Sequence, residues 1–256
     1  MLLVTPTTEA MQRTRRVHVN GRDYTLAEYV GQAPKRGTYI DGGETDDNGQ
    51  PQAFLVMQPP GATTPAHFHE PNQFQVFVAG RGRIGAFPAV PLTVQYANGH
   101  TPYGPIVAFD EGVTYFTLRQ RWDPGAKYLP AQRDKLVAGR QRQRVKGGLT
   151  VASDAERTAR AEPSVETVFE PEADGLAGWL HRLGAGQSVP LPSPARGGGQ
   201  YLIVAGGDLV LAGRALPGLS TVFVSHEEGA CAAVAGDTGL DLLVLQFPRL
   251  AAAAAA

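Results

Sequence analysis

Short hydrophobic runs rich in Val, Phe, Tyr, Leu and Thr recur along the whole chain, and glycine and proline separate them. Runs of this length and composition are typical of β-strands. They cover residues 52–58, 73–80, 91–97, 113–120, 200–206, 220–225 and 241–247. Several short strands at this spacing predict an all-β sandwich or barrel, and they argue against units of alternating strands and helices.

Helical patterns are few. Hydrophobic and polar residues follow a helical spacing in "YTLAEYVGQ" near residue 24, in "AQRDKLVAGRQRQR" near residue 131 and in "SDAERTARA" near residue 153. We therefore expect a few short helices beside the strands.

Two segments of the chain have related patterns. "QFQVFVAGRGRIGA" (73–86) and "GQYLIVAGGDLVLAG" (199–213) both run from a polar start through an aromatic and β-branched strand into Val-Ala-Gly. This similarity predicts an internal duplication at an offset of about 126 residues. The predicted organisation is an N-terminal arm packing on the barrels (1–51), a first barrel (52–122), a basic and polar linker (123–164) and a second barrel (165–250). An alanine tail (251–256) follows, for which no structure is predicted.

Composition and charge narrow the classes of partner. The 256 residues are 43% apolar and carry a formal charge of −1, so no overall field favours nucleic acid or an anionic membrane. The basic stretch 119–146 lacks interleaved aromatic residues for stacking on bases, so a solvated connector is favoured over a nucleic-acid patch. The expected partner is a small molecule.

Location is predicted from what the sequence lacks. The apolar run at the start is too short for the core of a signal peptide, and no apolar stretch is long enough to cross a membrane. Cys231 is the single cysteine, so no internal disulfide forms. These features predict a cytoplasmic protein.

A pair of histidines suggests metal binding. In "PAHFHEPNQFQ", His67 and His69 are two residues apart, so a strand projects both from one face. Imidazole binds Zn, Fe, Cu, Ni and Mn alike. Glu70 has the opposite parity and is a weaker candidate ligand, while Pro71 interrupts the strand before Gln73.

The spacing around this pair resembles the first motif of the cupin superfamily (RmlC-like barrels), G(X)5HXH(X)3–4E(X)6G, with glutamine at the glutamate position. The matching residues are Gly61, His67, His69, Gln73 and Gly80. His100 resembles the histidine of the second cupin motif, although the proline and glycine that usually precede it are missing. The resemblance implies two tandem cupin jelly-roll barrels and a metal site of His67, His69, Gln73 and His100.

Gln73 changes the expected charge of such a site. Its amide oxygen is either a direct ligand or a hydrogen-bond partner of a ligand. With neutral ligands, a divalent ion keeps its full double positive charge. We therefore expect an anionic or readily ionised bidentate substrate at two open coordination positions.

Further residues are predicted to shape the pocket, namely Gln75, Phe77, Tyr103 and Tyr115. Arg119 shares a strand face with Tyr115 and Thr117, and inside a barrel it would anchor an anion. Its position at the end of the strand predicts exposure instead.

The second half lacks the candidate ligands. At the repeat offset, the positions of His67, His69 and Gln73 become Ser193, Ala195 and Gly199 (Gln200 if the alignment slips by one). The position of His100 falls near Ala230, with Cys231 beside it. His226 and Cys231 have no ligand partner at strand spacing. The resemblance therefore implies a bicupin whose second barrel is degenerate.

Three functional hypotheses follow. The leading one is a metal-dependent oxygenase acting on a small oxygen-rich organic substrate, with iron as the first choice of metal and Mn, Ni, Cu or Zn as alternatives. The second is a metal-dependent isomerase or lyase, for which the first barrel offers no clear base. The third is a non-catalytic small-molecule or metal-binding protein. No catalytic residue is assigned, and pairing through edge strands into a homodimer is expected by analogy with such barrels.

Overall fold

The structure is a computed structural model, and it describes residues 1–31, 50–139 and 141–250. These residues form two compact units. The N-terminal unit is Thr8–Thr150, and the C-terminal unit is Met1–Thr7 with Val151–Ala256. Residues 32–49 of the predicted arm, Arg140 of the predicted linker and the alanine tail lie outside the described residues.

Strands dominate both units. The first twelve are β1 (Leu2–Thr5), β2 (Thr14–Val19), β3 (Arg22–Val30), β4 (Gln52–Gln58), β5 (Thr63–Thr64), β6 (His67–Phe68), β7 (Gln73–Ile84), β8 (Phe87–Ala89), β9 (Val94–Ala97), β10 (Ile106–Arg119), β11 (Lys127–Tyr128) and β12 (Gln143–Lys146). The rest are β13 (Ser164–Phe169), β14 (Ala177–Leu183), β15 (Ser188–Pro190), β16 (Gln200–Leu211), β17 (Arg214–Pro217), β18 (Thr221–Val224) and β19 (Ala232–Gln246). The helices are α1 (Thr7–Ala10), α2 (Asp154–Thr158) and two 3-10 turns, Arg133–Lys135 and Pro194–Arg196.

The N-terminal unit is built on one antiparallel sheet and a small ladder. The strand order of the sheet is β12-β9-β7-β10-β4-β3-β2, with β5 on β10 and β8 on β7. A separate two-stranded ladder joins β11 to β6. The predicted arm and linker both contribute strands here, since β2 and β3 extend the sheet at one end and β12 closes it at the other.

The C-terminal unit repeats this topology. Its strand order is β1-β18-β16-β19-β14-β13, with β15 on β19 and β17 on β16. The sequence β18-β16-β19-β14 corresponds to β9-β7-β10-β4 of the N-terminal unit. Gln73 begins β7 and Gln200 begins β16, while Val94 begins β9 and Thr221 begins β18, so both pairs of strands are offset by 127 residues.

The all-β prediction is confirmed, since strands make up 52% of the described residues and helices 6%. The seven predicted strands are all present. The helix predicted near residue 24 is wrong, because this segment is β3 and pairs with both β2 and β4. The helix predicted near residue 131 is also wrong. The described part of this segment forms the short turn Arg133–Lys135 and, further along, the first residues of β12.

The helix predicted near residue 153 is confirmed as α2. Ser153 and Glu156 form a reciprocal capping box at its start, which satisfies backbone N–H groups that a short helix otherwise leaves free. Within the described residues, no helix has the length and apolar character to cross a membrane.

Candidate functional site

The two predicted ligand histidines lie together inside the N-terminal unit. His67 begins β6 and His69 follows directly after it, and both side chains are buried. Their ring centroids are 5.1 Å apart and the rings are perpendicular. The predicted pair therefore converges on one buried point.

The hydrogen bonds of the two rings fix their tautomers. His67 Nδ1 lies 2.7 Å from the carbonyl oxygen of Pro65, and His69 Nδ1 lies 2.7 Å from Asp123 Oδ2. Both partners are acceptors, so each Nδ1 carries the proton and each Nε2 keeps a lone pair. Metal-binding histidines usually have this arrangement, in which the outer nitrogen donates to a carbonyl or carboxylate group.

Both rings are held in the neutral form. Burial, together with the neighbouring His69, lowers the pKa of His67 from 6.5 to about 3. Burial and the Arg119 guanidinium also lower the pKa of His69. Neutral imidazoles are the form that binds a metal ion.

Tyr103 lies beside His67, in the position predicted for His100. Two backbone hydrogen bonds, of 3.1 and 3.0 Å, place Tyr103 directly opposite His67, so both side chains project to the same side. The Tyr103 hydroxyl lies 2.9 Å from His67 Nε2 and 2.6 Å from Gln73 Nε2. Since His67 Nε2 has no proton, the hydroxyl donates to it and accepts from Gln73.

The orientation of Gln73 is set by Arg119. Arg119 Nε lies 2.8 Å from Gln73 Oε1. A guanidinium only donates hydrogen bonds, so the amide oxygen must face it and the amide nitrogen must face Tyr103. Gln73 therefore directs an N–H group towards the site. Arg119, Gln73, Tyr103 and His67 form a chain in which each group donates to the next, ending at the carbonyl of Pro65.

Arg119 is buried, so the predicted exposure of this side chain is wrong. It is 3% exposed, donates from Nη1 to Gln52 Oε1 and lies 3.4 Å from Asp123 Oδ2. Burial alone would raise the pKa of Asp123, but the Arg119 guanidinium and His69 outweigh burial and hold this pKa below its usual range. The buried cation is therefore balanced by a buried carboxylate.

Arg119 also contacts His69. Its Nη2 atom is 3.1 Å from His69 Nδ1 and 3.2 Å from His69 Nε2. The lone pairs of the two ring nitrogens diverge, so one N–H group cannot bond to both. Because His69 Nδ1 carries its proton towards Asp123, Nε2 is the ring nitrogen that can accept from the Arg119 guanidinium.

Two candidate ligands lie elsewhere. His100 adopts a φ of 56° in a turn, its ring contacts Phe68 at a centroid distance of 5.6 Å, and its Nδ1 accepts from the Val137 amide at 3.4 Å. Phe68 has the opposite strand parity to His67, so His100 is on the other side of β6. Glu70 pairs with Lys127 at 2.7 Å. The structure groups neither side chain with the two imidazoles.

The donors present fit a metal ion only in part. Among the described residues, no three His, Cys, Asp or Glu side chains are grouped to hold one. His67 Nε2 and the Tyr103 oxygen are nevertheless placed side by side. Adjacent ligands at about 2.1 Å from one ion are about 3 Å apart, and His67 Nε2 and Tyr103 Oη are separated by 2.9 Å.

A small cavity of about 60 Å³ adjoins these groups. Three of the four predicted pocket residues line it, namely Gln75, Tyr103 and Tyr115, and Phe77 instead lies fully buried in the hydrophobic core. Thr117 and Arg119 also line the cavity, together with apolar side chains of β2, β3 and β4. One side of the cavity is therefore polar and charged, and the other is apolar.

The corresponding region of the C-terminal unit has lost these groups. Gln200 pairs with Gln246 in the register in which Gln73 pairs with Arg119, so a glutamine stands where the N-terminal unit has its buried cation. Ser193 caps a 3-10 turn and Ala195 lies within it.

Comparison with known proteins gives structural matches alone. No protein-family model matches the chain, and no curated protein matches it. A candidate dioxygenase from Nostoc punctiforme matches over 99% of this chain and 85% of its own, with a TM-score of 0.64 and 11% identity. The bacterial pirin YhhW from Escherichia coli, in complex with nickel(II), matches over 98% and 100%, with a TM-score of 0.53 and 10% identity.

Hazelnut (Corylus avellana) vicilin matches over 96% of this chain and 85% of its own, with a TM-score of 0.52 and 11% identity. At such identities, likeness shows the fold and does not transfer an activity or a metal. These neighbours are a candidate dioxygenase, a pirin and a vicilin, and this chain shares their jelly-roll-like fold. This chain therefore has the cupin fold.

Proposed function

We propose that the protein is a metal-dependent enzyme of the oxygenase type that acts on a small, oxygen-rich organic anion in the N-terminal unit. One observation carries this proposal. His67 and His69 are both buried, neutral and oriented by their Nδ1 protons, so each Nε2 is the unprotonated nitrogen that a bound ion would take over from its present hydrogen-bond donor, Tyr103 or Arg119. The native metal is left open among Fe, Mn, Ni, Cu and Zn.

The proposed ligands are His67 Nε2, His69 Nε2 and the phenol oxygen of Tyr103. Gln73 holds Tyr103 in place without binding the ion, because its amide oxygen accepts from Arg119. A bound divalent ion supplies Lewis acidity and, if it is iron, the redox capacity to use dioxygen.

Arg119 supports the choice of an anionic substrate. Its guanidinium lines the cavity and contacts His69. The Arg119–Asp123 pair is neutral as a whole, and both histidines are neutral, so a divalent ion would leave the site with a net positive charge. An organic acid or enolate restores neutrality.

The first test is metal content. Purified protein loaded with iron(II) or zinc(II) is analysed beside the variants His67→Ala, Tyr103→Phe, Gln73→Ala and His100→Ala. We expect one ion in the wild type, none in His67→Ala and weaker retention in Tyr103→Phe. His100→Ala is the matched control and should keep the metal, as should Gln73→Ala. Metal that survives His67→Ala would contradict the site.

The second test is chemical. Iron-loaded protein is supplied with diketones, phenols and hydroxy acids while oxygen consumption is recorded. We expect uptake with at least one class and none in His67→Ala. Absence of uptake under every metal loading would count against the oxygenase class.

A non-catalytic binding protein is the second candidate, and one observation favours it. The donor chain from Arg119 through Gln73 and Tyr103 to His67 is already complete in the protein itself. In that case the wild type binds small organic acids without retaining metal after dialysis. Stoichiometric metal in the first test would exclude this metal-free function.

A further inference from the structure

A row of buried polar side chains crosses the cavity face of the N-terminal sheet. Gln75 pairs with Gln95 on one side and with Thr117 on the other, so the three side chains project to the same face of β9, β7 and β10. Gln75 and Thr117 line the cavity beside Arg119. We call these three residues the amide row.

Three amide atoms of the amide row lack a hydrogen-bond partner among the described residues. Gln95 is 1% exposed and Gln75 is 3% exposed. The three atoms are Gln75 Oε1 and both amide atoms of Gln95, and all are buried. A buried polar atom without a partner destabilises a fold, so these residues are not explained by packing.

The C-terminal unit has purely apolar side chains at the positions equivalent to the amide row. With the 127-residue offset, Gln75, Gln95 and Thr117 correspond to Leu202, Val222 and Val244. These three are paired in the same register and lie buried in the hydrophobic core of that unit. The amide row therefore has polar side chains at positions where the C-terminal unit has apolar ones.

Size and polarity define the group that the amide row would bind. A hydroxyl is both donor and acceptor, so it satisfies an amide oxygen and an amide nitrogen together. The cavity of about 60 Å³ is well below the roughly 150 Å³ that encloses benzene. It therefore accepts a group of only a few heavy atoms.

The neighbouring pair of residues, Gln73 and Arg119, determines where the charged end of the ligand would bind. Gln73 and Arg119 are paired two residues along β7 and β10 from the amide row, a separation of about 7 Å along the strands. A three- or four-carbon acid spans this separation with a hydrogen bond at each end.

We propose that the amide row is a hydroxyl-binding subsite, and that the ligand is a short-chain hydroxy acid whose carboxylate faces Arg119 and whose hydroxyl faces Gln75 and Thr117, the two members of the row that line the cavity. This inference rests on the proposed function in placing the acid at the Arg119 end. The hydroxyl preference itself depends only on the amide row.

The test is calorimetric titration with three probes of equal chain length: propionate, lactate and 3-hydroxypropionate. Each is titrated into metal-free and zinc-incubated protein. We expect the better hydroxy acid to bind at least about ten-fold more tightly than propionate, equivalent to one hydrogen bond of about 1.4 kcal/mol. Equal binding of all three acids, or binding of none, would overturn the subsite.

The matched variant is Gln75→Leu/Gln95→Val/Thr117→Val, which installs the residues of the C-terminal unit. We expect the hydroxyl preference to fall to about one while the Kd for propionate changes less than about two-fold. The single variant Gln75→Leu provides the same comparison should the triple variant not fold. A preference that survives both substitutions would contradict the proposal.

The two proposals fail separately. Protein that binds no zinc but keeps the ten-fold preference would refute the metal-dependent function and support the subsite. Protein that binds zinc and shows no preference would refute the subsite alone.

Discussion

At the scale of single residues, the site is defined by which atoms carry protons. Pro65 and Asp123 accept from the Nδ1 atoms of His67 and His69, and burial keeps both rings neutral. Arg119 fixes the orientation of the Gln73 amide in the same way. Its guanidinium only donates hydrogen bonds, so the amide oxygen of Gln73 must face it. These assignments follow from hydrogen-bond chemistry and do not require an observed hydrogen atom.

The buried histidines predict acid sensitivity of the metal-free protein. The unfolded chain protonates His67 near pH 6.5, whereas the folded protein keeps it neutral down to about pH 3. Between these values the unfolded state binds more protons. The free energy of unfolding therefore falls as pH is lowered, by about 1.4 kcal/mol per pH unit for each proton.

Urea denaturation from pH 7 to pH 4 measures this slope. His67→Gln should have a shallower slope than the wild type. His18→Gln is the control, because the His18 side chain is 67% exposed and its removal should leave the slope unchanged. A wild-type slope shared by His67→Gln would show that His67 does not titrate in this range.

The buried ion pair predicts a compensating double substitution. Asp123→Asn leaves the Arg119 charge buried without its carboxylate and should lower the free energy of unfolding by about 3 kcal/mol or more. Arg119→Gln introduces the residue that the C-terminal unit has at this position, Gln246. Combined with Asp123→Asn, it should recover most of the loss, as measured by urea denaturation. Additive losses would indicate that the two side chains are not coupled.

At the scale of strands, the interior of the N-terminal sheet changes character row by row. Gln73 and Arg119 form one row with Gln52, the amide row follows, and Phe77 with Tyr115 forms the next. Successive same-face rows of β7 and β10 thus lead from a charged group through neutral polar groups to aromatic side chains. The gradient belongs to strands β7 and β10, and no single residue shows it.

The amide row is expected to lower the stability of the ligand-free protein while it provides groups for ligand binding. Replacing it with Leu, Val and Val removes buried unpaired amide atoms, so the ligand-free protein should gain about 1–3 kcal/mol. Urea denaturation checks the gain, and hydrogen exchange should slow in β7, β9 and β10. The reverse exchange in the C-terminal unit, Leu202→Gln/Val222→Gln/Val244→Thr, should destabilise the protein. A loss of stability in the first variant would contradict this account.

Sequence patterns predicted strands well and long-range contacts poorly. The strands follow from local composition and from the glycines and prolines between them, and the histidine pair follows from a spacing of two. The segment "YTLAEYVGQ" near residue 24 predicts a helix because its hydrophobic spacing suits either structure, and the pairing of β3 with β2 and β4 decides the outcome. Burial of Arg119 and the bond from His69 to Asp123 depend on residues about 50 positions apart, which no local pattern contains.

At the scale of the whole molecule, one topology occurs twice with different contents. The two units share the strand order around β7 and β16 at an offset of 127 residues. The repeat is visible in the sequence because Val-Ala-Gly occurs within the same strand of both copies, β7 and β16. Its chemical asymmetry was visible too, since the C-terminal copy lacks the histidine pair.

This difference between the two units predicts which strands a bound metal ion protects from amide exchange. With zinc(II) bound as proposed, amide exchange measured by mass spectrometry should slow in β6, β7 and β10, whose side chains include the proposed ligands or contact them. The equivalent strands β16 and β19 provide an internal control and should be protected less. Equal protection of both sets, or protection of β16 and β19 alone, would be inconsistent with the site.

The bond between Arg119 and Gln73 also constrains how this site can change over time. A Gln73→Glu substitution alone would set a carboxylate against the guanidinium, and the new charge would form an ion pair in place of a metal ligand. A glutamate becomes available to an ion only if Arg119 is lost as well. The two positions are therefore genetically dependent on each other. A lineage that passes between a charged and a neutral ligand set at this site has to alter both residues, and the order of the two steps decides whether the intermediate protein holds a buried ion pair or an unbalanced buried carboxylate.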